Sequence, residues 1–386
     1  MKISGIICEY NPFHNGHAYQ IEQTRKNGAT HIVAVMSGNF VQRGDIAVLD
    51  KFTRSGLAVR SGIDLVIELP VAYCLSPAEN FAKGAVYLLE SLGCIDEISF
   101  GSECGDIDRL VSAMNKSDKI LQLESIKMLM KDGYTYPSAV SRILKETDTE
   151  TADIISEPNN ILAIEYLRAL QYFKSGIKPF TVKRAGASHD SRETFQEFAS
   201  ASYIRENISS ARNFVPEIWA DALEFRTTML KNLEKIILYR IRTASFEDLF
   251  STNDMTGGLS DRIYGNQANS LNEFFESVKT KCYTMARIKR IILSLLIGIE
   301  KTDASELPPY ARIIAFNEKG REILAVTKKT KEIPVGMSLA KLGRLNCTAR
   351  RFAELESRAT DIYSLAFDNI SPAGADYREK IVISQE

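Results

Sequence analysis

The strongest constraint on this chain is the order of its first hundred residues, where short β-rich runs alternate with helical stretches. Residues 3–8 (ISGIIC) read as a strand, followed by a turn holding Pro12 and a helix at about 14–26. Residues 30–36 (THIVAVM) form a nearly continuous apolar run, the pattern of a strand covered on both faces. A Gly-bearing loop at 37–45 leads to a helix ending near Arg60, then a strand at 64–69 stopped by Pro70, a helix at 78–92 and a strand at 97–100. Successive β-loop-α units require parallel strands joined by right-handed crossovers. This part of the chain is therefore expected to be α/β, with a doubly wound parallel sheet.

A helical excursion rich in Lys, Asp and Glu interrupts the pattern at about 105–157. It resumes with a helix at 160–173, a strand at 179–184 and a helix opening near Ser200. After residue 213 the character changes. Long amphipathic helices are expected at 216–243 and 271–299, with a Gly/Ser/Asn-rich loop at 251–269 between them. The tail from 308 predicts a strand at 311–316, a turn and more helix. At 386 residues the chain can bury two cores. The expected division is a domain at 1–212, with the helical insertion at about 105–157, and a mainly helical domain at 213–386.

Charge excludes a bulk polycation. The formal net charge of −1 divides into 23 Lys/Arg against 26 Asp/Glu in residues 1–212, and 25 against 23 in residues 213–386. Nucleic-acid binding would have to use local patches. The six cysteines show no CxxC pair and no His at zinc spacing, so they read as reduced and mostly buried, and no metal ligands from side chains are expected. The first apolar run is too short for a signal peptide, and the best apolar run, 291–299, is too short to span a bilayer. A soluble, cytoplasmic protein without a membrane partner is expected.

Two of only four histidines fall in one short motif, Asn11-Pro12-Phe13-His14-Asn15-Gly16-His17, directly after the first strand. Open α/β sheets bind ligands at the carboxyl ends of their strands, where this motif falls. Gly16 lets a phosphate approach the backbone, and a helix start offers unpaired N–H donors and the positive end of a dipole. His14 and His17 can donate to the charge that builds on phosphate oxygens during nucleotidyl transfer, a reaction that needs mainly positioning and charge stabilisation. A second element, Ala199-Ser200-Ala201-Ser202-Tyr203-Ile204-Arg205, is a hydroxyl-rich helix cap with Arg205 one turn further in, a pattern that also suits phosphate.

HNGH followed, after a long insertion, by SASYIR resembles the HIGH-motif nucleotidylyltransferase superfamily, a Rossmann-like fold whose core is shared with class I aminoacyl-tRNA synthetases. Its second motif is usually ISSTxIR. This chain departs from it at Ala199, Ala201 and Ser202, while Ser200 and Arg205 match. A closer resemblance spans nearly the whole chain: GIICEYNPFHNGHAYQ (5–20), MSGNFVQRGD (36–45), LVIELP (65–70), SFGSECG (99–105), PNNILAIEYLRAL (158–170) and KRAGASHD (183–190) are similar to the bacterial tRNA(Met) cytidine acetate ligases. That resemblance implies activation of acetate by ATP to acetyl-adenylate. It further implies acetylation of N4 of the wobble cytidine in elongator tRNA(Met), giving N4-acetylcytidine.

Carried over by position, the resemblance implies ATP binding by Ile7, Cys8, Glu9, Tyr10, Asn11, Pro12, Phe13, His14, Asn15, Gly16, His17, Ala18, Tyr19 and Gln20, and by Gly101, Asn160 and Arg184. Ser200, Ser202 and Arg205 join this set from the second motif. His14, His17 and Arg184 would stabilise charge on the departing pyrophosphate, with Mg²⁺ arriving on the ATP phosphates. Gln42, Arg43 and Asp45 are candidates for acetate or pyrophosphate. His189-Asp190 could serve as a base for the cytidine amine, or be structural. Lys279, Lys281, Arg287, Lys289 and Arg290, with Lys328, Lys329, Lys331, Arg344, Arg350 and Arg351, are candidates for tRNA phosphates, against the plainer reading of a solvated basic face. Met337-Ser338-Leu339-Ala340-Lys341 superficially echoes the synthetase KMSKS loop but lies far outside the α/β half. Two other functions stay open on the residues alone: a small-molecule adenylyltransferase acting on phosphopantetheine or a mononucleotide, and a non-catalytic ATP-sensing RNA-binding protein.

Overall fold

The computed structural model describes residues 1–121, 124–131, 134, 136–184 and 198–384. Its frame is a mixed, mostly parallel sheet with helices on both faces. The strands are β1 (Ile3–Cys8), β2 (His31–Ser37), β3 (Phe40–Val41), β4 (Asp45–Ile46), β5 (Leu65–Leu69), β6 (Glu97–Ser102), β7 (Lys178–Lys183), β8 (Ala311–Phe316), β9 (Val335–Gly336) and β10 (Val382–Ile383). The order across the main sheet is β10-β8-β5-β2-β1-β6-β7, with β9 beside β8, while β3 and β4 pair as a separate hairpin. β5, β2, β1, β6 and β7 are mutually parallel.

β2 shows why these strands read as unbroken apolar runs. Every residue from His31 to Ser37 is buried. Val33 and Val35 enter one core with Leu65 and Ile67, whereas Ile32, Ala34 and Met36 enter a second core with Ile6 and Val66. Alternation sends successive side chains to opposite faces, and both faces are covered.

The reversal of strand order lies between β1, which runs to β2 and β5 on one side, and β6 and β7 on the other. Such a switch point opens a crevice at the carboxyl ends of the strands. The histidine motif follows β1, and Gly101 and Arg184 lie at the ends of β6 and β7.

Several expectations need correcting. The strand at 311–316 does form, but as β8 it pairs antiparallel with β5, so the sheet crosses the expected boundary at 213. The helix expected at 216–243 is broken into Glu217–Phe225, a 3₁₀ turn Leu230–Leu233, and Glu234–Thr243. At the break, Thr228 donates its backbone N–H to Val48 and its hydroxyl to Ala366, bonds that a continuous helix would deny it. The helix expected at 271–299 is two, Leu271–Val278 and Met285–Ile297, the second capped by Thr284. The expected loop at 251–269 contains the helix Gly257–Ile263, anchored by buried Leu259 and Ile263. Of the cysteines, Cys8 and Cys74 are buried and Cys282 and Cys347 are exposed. His189-Asp190 lies outside the described residues.

Candidate active site

The helix after β1, α1 (Asn15–Lys26), has His14 as its N-cap. The His14 backbone is extended, at φ −140° and ψ 173°, and its Nδ1 accepts the Gly16 N–H at 3.1 Å. His17, one turn on, returns the bond: its Nδ1 accepts the His14 N–H at 3.2 Å. This is a capping box built from two histidines instead of Ser/Thr and Glu. Its consequence is chemical. A ring nitrogen that accepts a backbone N–H carries no proton, so in each neutral ring the proton must sit on Nε2. Both imidazoles are thereby set as Nε2–H donors. The rings stack 3.8 Å apart between centroids, and both line a cavity at the carboxyl end of the sheet.

Gly16 has a second reason to be glycine. A Cβ there would stand 2.9 Å from His14 Cε1 and 3.0 Å from Nδ1, displacing the cap ring. The turn before it is rigidly seated. Phe13 is fully buried and stacks on Trp219 at 5.2 Å, Asn11 Oδ1 accepts the Val48 N–H at 2.8 Å, and the Asn15 N–H donates to the Phe214 carbonyl at 2.9 Å.

Gly16, Tyr19, Gln20, Gly101 and Arg184 join the two histidines around the cavity, together with Val182, Lys183, Phe198 and Ala199, which sequence reasoning did not assign. Gly101 pairs with Val182 across β6–β7, a Cβ on it would lie 3.6 Å from Arg184 Cγ, and the Arg184 N–H donates to the Ser102 carbonyl at 3.0 Å. Burial depresses the pKa of the Arg184 guanidinium and the Glu103 carboxylate opposes that. Among the described residues no side-chain bond holds this guanidinium. A cation kept partly dehydrated and facing a cavity is a receptor for an anion.

Other expected ligands stand elsewhere. Asn160 is 2 % exposed and its amide is bonded to the fold at both ends: Oδ1 accepts the Cys104 N–H at 3.0 Å and Nδ2 donates to the Ile154 carbonyl at 3.1 Å. It shapes the turn after Gly101, as Glu103 does by accepting the N–H groups of Asn159 and Asn160. Ser200 caps the helix Ala201–Glu206 by accepting the Tyr203 N–H at 3.1 Å. Arg205 points to the back of the motif, donating to the Asn11 carbonyl at 2.7 Å and to Ser202 Oγ at 3.1 Å. Of residues 7–20, Ile7, Glu9, Asn15 and Ala18 do not line this cavity, and Cys8, Tyr10, Asn11, Pro12 and Phe13 are buried beneath it.

Gln42, Arg43 and Asp45 sit on the β3–β4 hairpin, outside the cavity lining, with the Gln42 N–H donated to Glu9 Oε1 at 2.7 Å. Of the basic residues proposed for RNA, Lys279 and Lys281 are exposed. Arg290 is not: it is 8 % exposed and pairs with Asp254 at 3.4 Å, while Arg287 pairs with the same carboxylate at 3.1 Å. Arg351 likewise is bound to Asp303 at 2.8 Å. These three arginines are tied into the fold by carboxylates, which a basic-cluster count cannot reveal.

Sequence reasoning missed Arg54, fully buried in the helix Lys51–Arg60. Its guanidinium donates to the carbonyls of Leu49 (2.9 Å), Ser37 (3.2 Å), Gly38 and Glu9, gathering the ends of β1 and β2. It missed, too, a buried cluster in which Lys51 and Arg312 lie among Glu68, Glu356 and Asp376. Neither has a sequence signal, because each resembles an ordinary charged helix or strand residue.

The chain matches the HIGH Nucleotidyl Transferase family over residues 1–377. It is 39% identical over 403 residues to a tRNA(Met) cytidine acetate ligase of Thermoanaerobacter sp. (strain X514), and 40% identical over 407 residues to that of Caldanaerobacter subterraneus subsp. tengcongensis. Both alignments cover 99% of this chain and 100% of the relative. The crystal structures of Thermotoga maritima TmcAL, one apo and one bound with alpha-thio ATP, superpose with TM-scores of 0.91 and 0.89 at 30% identity, covering 100% of both chains. With the histidine cap at the switch point and likeness along its full length, the chain belongs to the tRNA(Met) cytidine acetate ligases, within the HIGH nucleotidyl transferase family.

Proposed function

We propose that this chain is an ATP-dependent acetate ligase that forms N4-acetylcytidine at the wobble position of elongator tRNA(Met), in the cytoplasm. The observation that carries the chemistry is the pair of Nε2–H donors on the His14–His17 cap, facing one cavity with the dehydrated Arg184. Donor-bearing side chains lining one cavity suit the charge that develops when a phosphate ester bond breaks.

The reaction has two steps. A carboxylate oxygen of acetate attacks the α-phosphorus of ATP, the bond to the bridging oxygen of the β-phosphate breaks, and pyrophosphate leaves with that electron pair. His14, His17 and Arg184 hold the charge that the leaving group gathers. The N4 amine of cytidine then attacks the acetyl carbonyl of acetyl-adenylate. The carbon–oxygen bond to phosphate breaks, AMP departs, and N4 loses one proton. The amine is a weak nucleophile because its lone pair is delocalised into the ring, and the AMP leaving group compensates for that.

Mg²⁺ fits this site only as a companion of the ATP phosphates, where it neutralises pyrophosphate charge. Among the described residues, the group of carboxylates close enough to hold an ion is Glu68, Glu356 and Asp376, and Lys51 and Arg312 already fill it. The division of labour follows the chain. Residues 1–212 carry the adenylylation site, and residues 213–386 present tRNA through exposed cations such as Lys279 and Lys281. Among the described residues no helix is long and apolar enough to cross a membrane.

Acetate-dependent exchange of radiolabelled pyrophosphate into ATP, run with and without bulk bacterial tRNA, tests this reading. Exchange that requires acetate is the expected result, with N4-acetylcytidine then found by mass spectrometry in digested tRNA(Met). ATP binding without exchange under either condition would overturn it.

A further inference from the structure

Arg290 is a cation almost closed off from solvent. It lies on the helix Met285–Ile297 of the C-terminal half, yet is 8 % exposed and directed at the β3–β4 hairpin. One guanidinium nitrogen donates to the Gln42 carbonyl at 3.3 Å, and the other to Asp254 Oδ2 at 3.4 Å. The two chains meet closely here. Gly44 has φ +72°, and a Cβ on it would fall 2.5 Å from the Arg290 backbone nitrogen and from Lys289 Cβ. No side chain fits between hairpin and helix.

The hairpin is gripped from that helix and passes the constraint onward. The Gln42 N–H donates to Glu9 Oε1 at 2.7 Å, and the Glu9 carbonyl accepts from Arg54. Glu9 is the residue through which β1 runs into the turn that ends at His14. On the other side Asn253, next to Asp254, donates to Ser76 Oγ at 3.1 Å and to the Leu75 carbonyl at 3.3 Å, so the carboxylate that holds Arg290 is itself anchored on the α/β half. A guanidinium is a rigid fork, and one fork bonded to a carboxylate and to a main-chain carbonyl fixes their separation.

We propose that the Asp254–Arg290 pair is a positioning device for the adenylylation site: it fixes the Gln42–Asp45 turn, and through Gln42 and Glu9 the approach to His14, so that acetate meets the α-phosphate in line. Arg290 is then a positioning residue and takes no phosphate of tRNA. The inference rests on the acetate ligase reading, because of the two ligands for which the hairpin is a candidate, acetate and pyrophosphate, it takes the first.

Its test compares the full-length wild type with Arg290→Met, Arg290→Lys and Asp254→Asn, once each has been shown folded by its thermal transition. In acetate-dependent ATP–pyrophosphate exchange, Arg290→Met and Asp254→Asn are expected to raise the KM for acetate by about tenfold or more, since small displacements of positioning groups carry such penalties. The KM for ATP and the affinity for tRNA by filter binding stay close to the wild type, and Arg290→Lys recovers part of the loss. An unchanged acetate KM with weakened tRNA binding overturns the proposal and makes Arg290 an RNA ligand. Unchanged values throughout overturn it as well. Hydrogen–deuterium exchange of residues 39–46 reads the same device without any substrate. Faster exchange in Arg290→Met than in the wild type supports it, and unaltered protection sinks it. Should the wild type lack acetate-dependent exchange, the ligase reading fails by itself, and the hydrogen-exchange result still decides whether Arg290 positions the hairpin.

Discussion

Two polar assemblies in the molecule are built in opposite ways. The histidine cap closes within four residues: His14, Gly16 and His17 bond one another through their own backbone, and the rings stack as a result. The charge cluster draws Lys51 from the helix after the β3–β4 hairpin, Glu68 from β5, Arg312 from β8, Glu356 from the helix Cys347–Ser364, and Asp376 from the short helix Ala375–Arg378. Lys51 Nζ lies 2.6 Å from an Asp376 oxygen although 325 positions separate them in sequence. The first assembly lines a cavity. The second is sealed, and binds the carboxyl-terminal part of the chain to the sheet.

If that contrast holds, the two respond to mutation in different observables. The largest effect belongs to the cap. His14→Ala or His17→Ala should lower the rate of acetate-dependent exchange by about 10²–10³-fold, the usual result of removing one preorganised donor, at a cost of about 1 kcal/mol in stability from the broken helix cap. A loss of tRNA binding in a folded variant would break the division between adenylylation and RNA binding.

In the sealed cluster the loss should appear as stability. Burial acts to raise the pKa of Asp376, but Lys51 and Arg312 outweigh it and hold the carboxyl below the usual aspartate range. Glu356 is shifted the other way, by burial first and then by its proximity to Glu68. Lys51 and Arg312 therefore favour the charged form of Asp376, while burial and the neighbouring Glu68 work against charge on Glu356. Asp376→Asn should destabilise the fold by about 3–5 kcal/mol in urea titrations, because it strands a buried cation. Glu356→Gln, which removes a charge that burial already disfavours, should cost about 1 kcal/mol or less. Equal losses would refute the opposite directions in which the two carboxyls are shifted. The sign with pH follows from the depressed Asp376 value. Its contribution is full above the unfolded aspartate pKa of about 3.9, and is lost as pH falls through the lower folded value.

The smallest effect is expected at the exposed cations. Lys279→Glu with Lys281→Glu should weaken tRNA binding and reduce the slope of log affinity against log salt by about 1–2, the share of two phosphate contacts. An unaltered slope would leave those lysines as plain solvated surface.

Much of the α/β half was legible because its signals are local. A parallel strand buried on both faces must be apolar along its length, as 31–37 is, and a helix cap needs its partners two or three residues away. The same logic failed in the C-terminal half. An amphipathic period continues through residues 226–229 and 279–284, where the chain nevertheless breaks, because Thr228 is bonded to Val48 and Ala366 and Thr284 opens a new helix. Asn160 is the instructive case at the site. Family resemblance gave it to ATP, while both ends of its amide are bonded to the main chain of the turn beside Gly101.

By itself the sequence determined the strand segments of the parallel part of the sheet, the placing of the histidine pair at the end of β1, and the family. Each of these depends on residues close together in the chain, or on segments recognisable as units. The tertiary structure alone decided that β8 extends the sheet past residue 213, that Arg287, Arg290 and Arg351 are taken by carboxylates, and that Lys51 and Arg312 neutralise a buried acidic group. The physical reason is the same for all three. A charged side chain looks alike in sequence whether water or a distant carboxylate will solvate it, and only folding brings the carboxylate within reach.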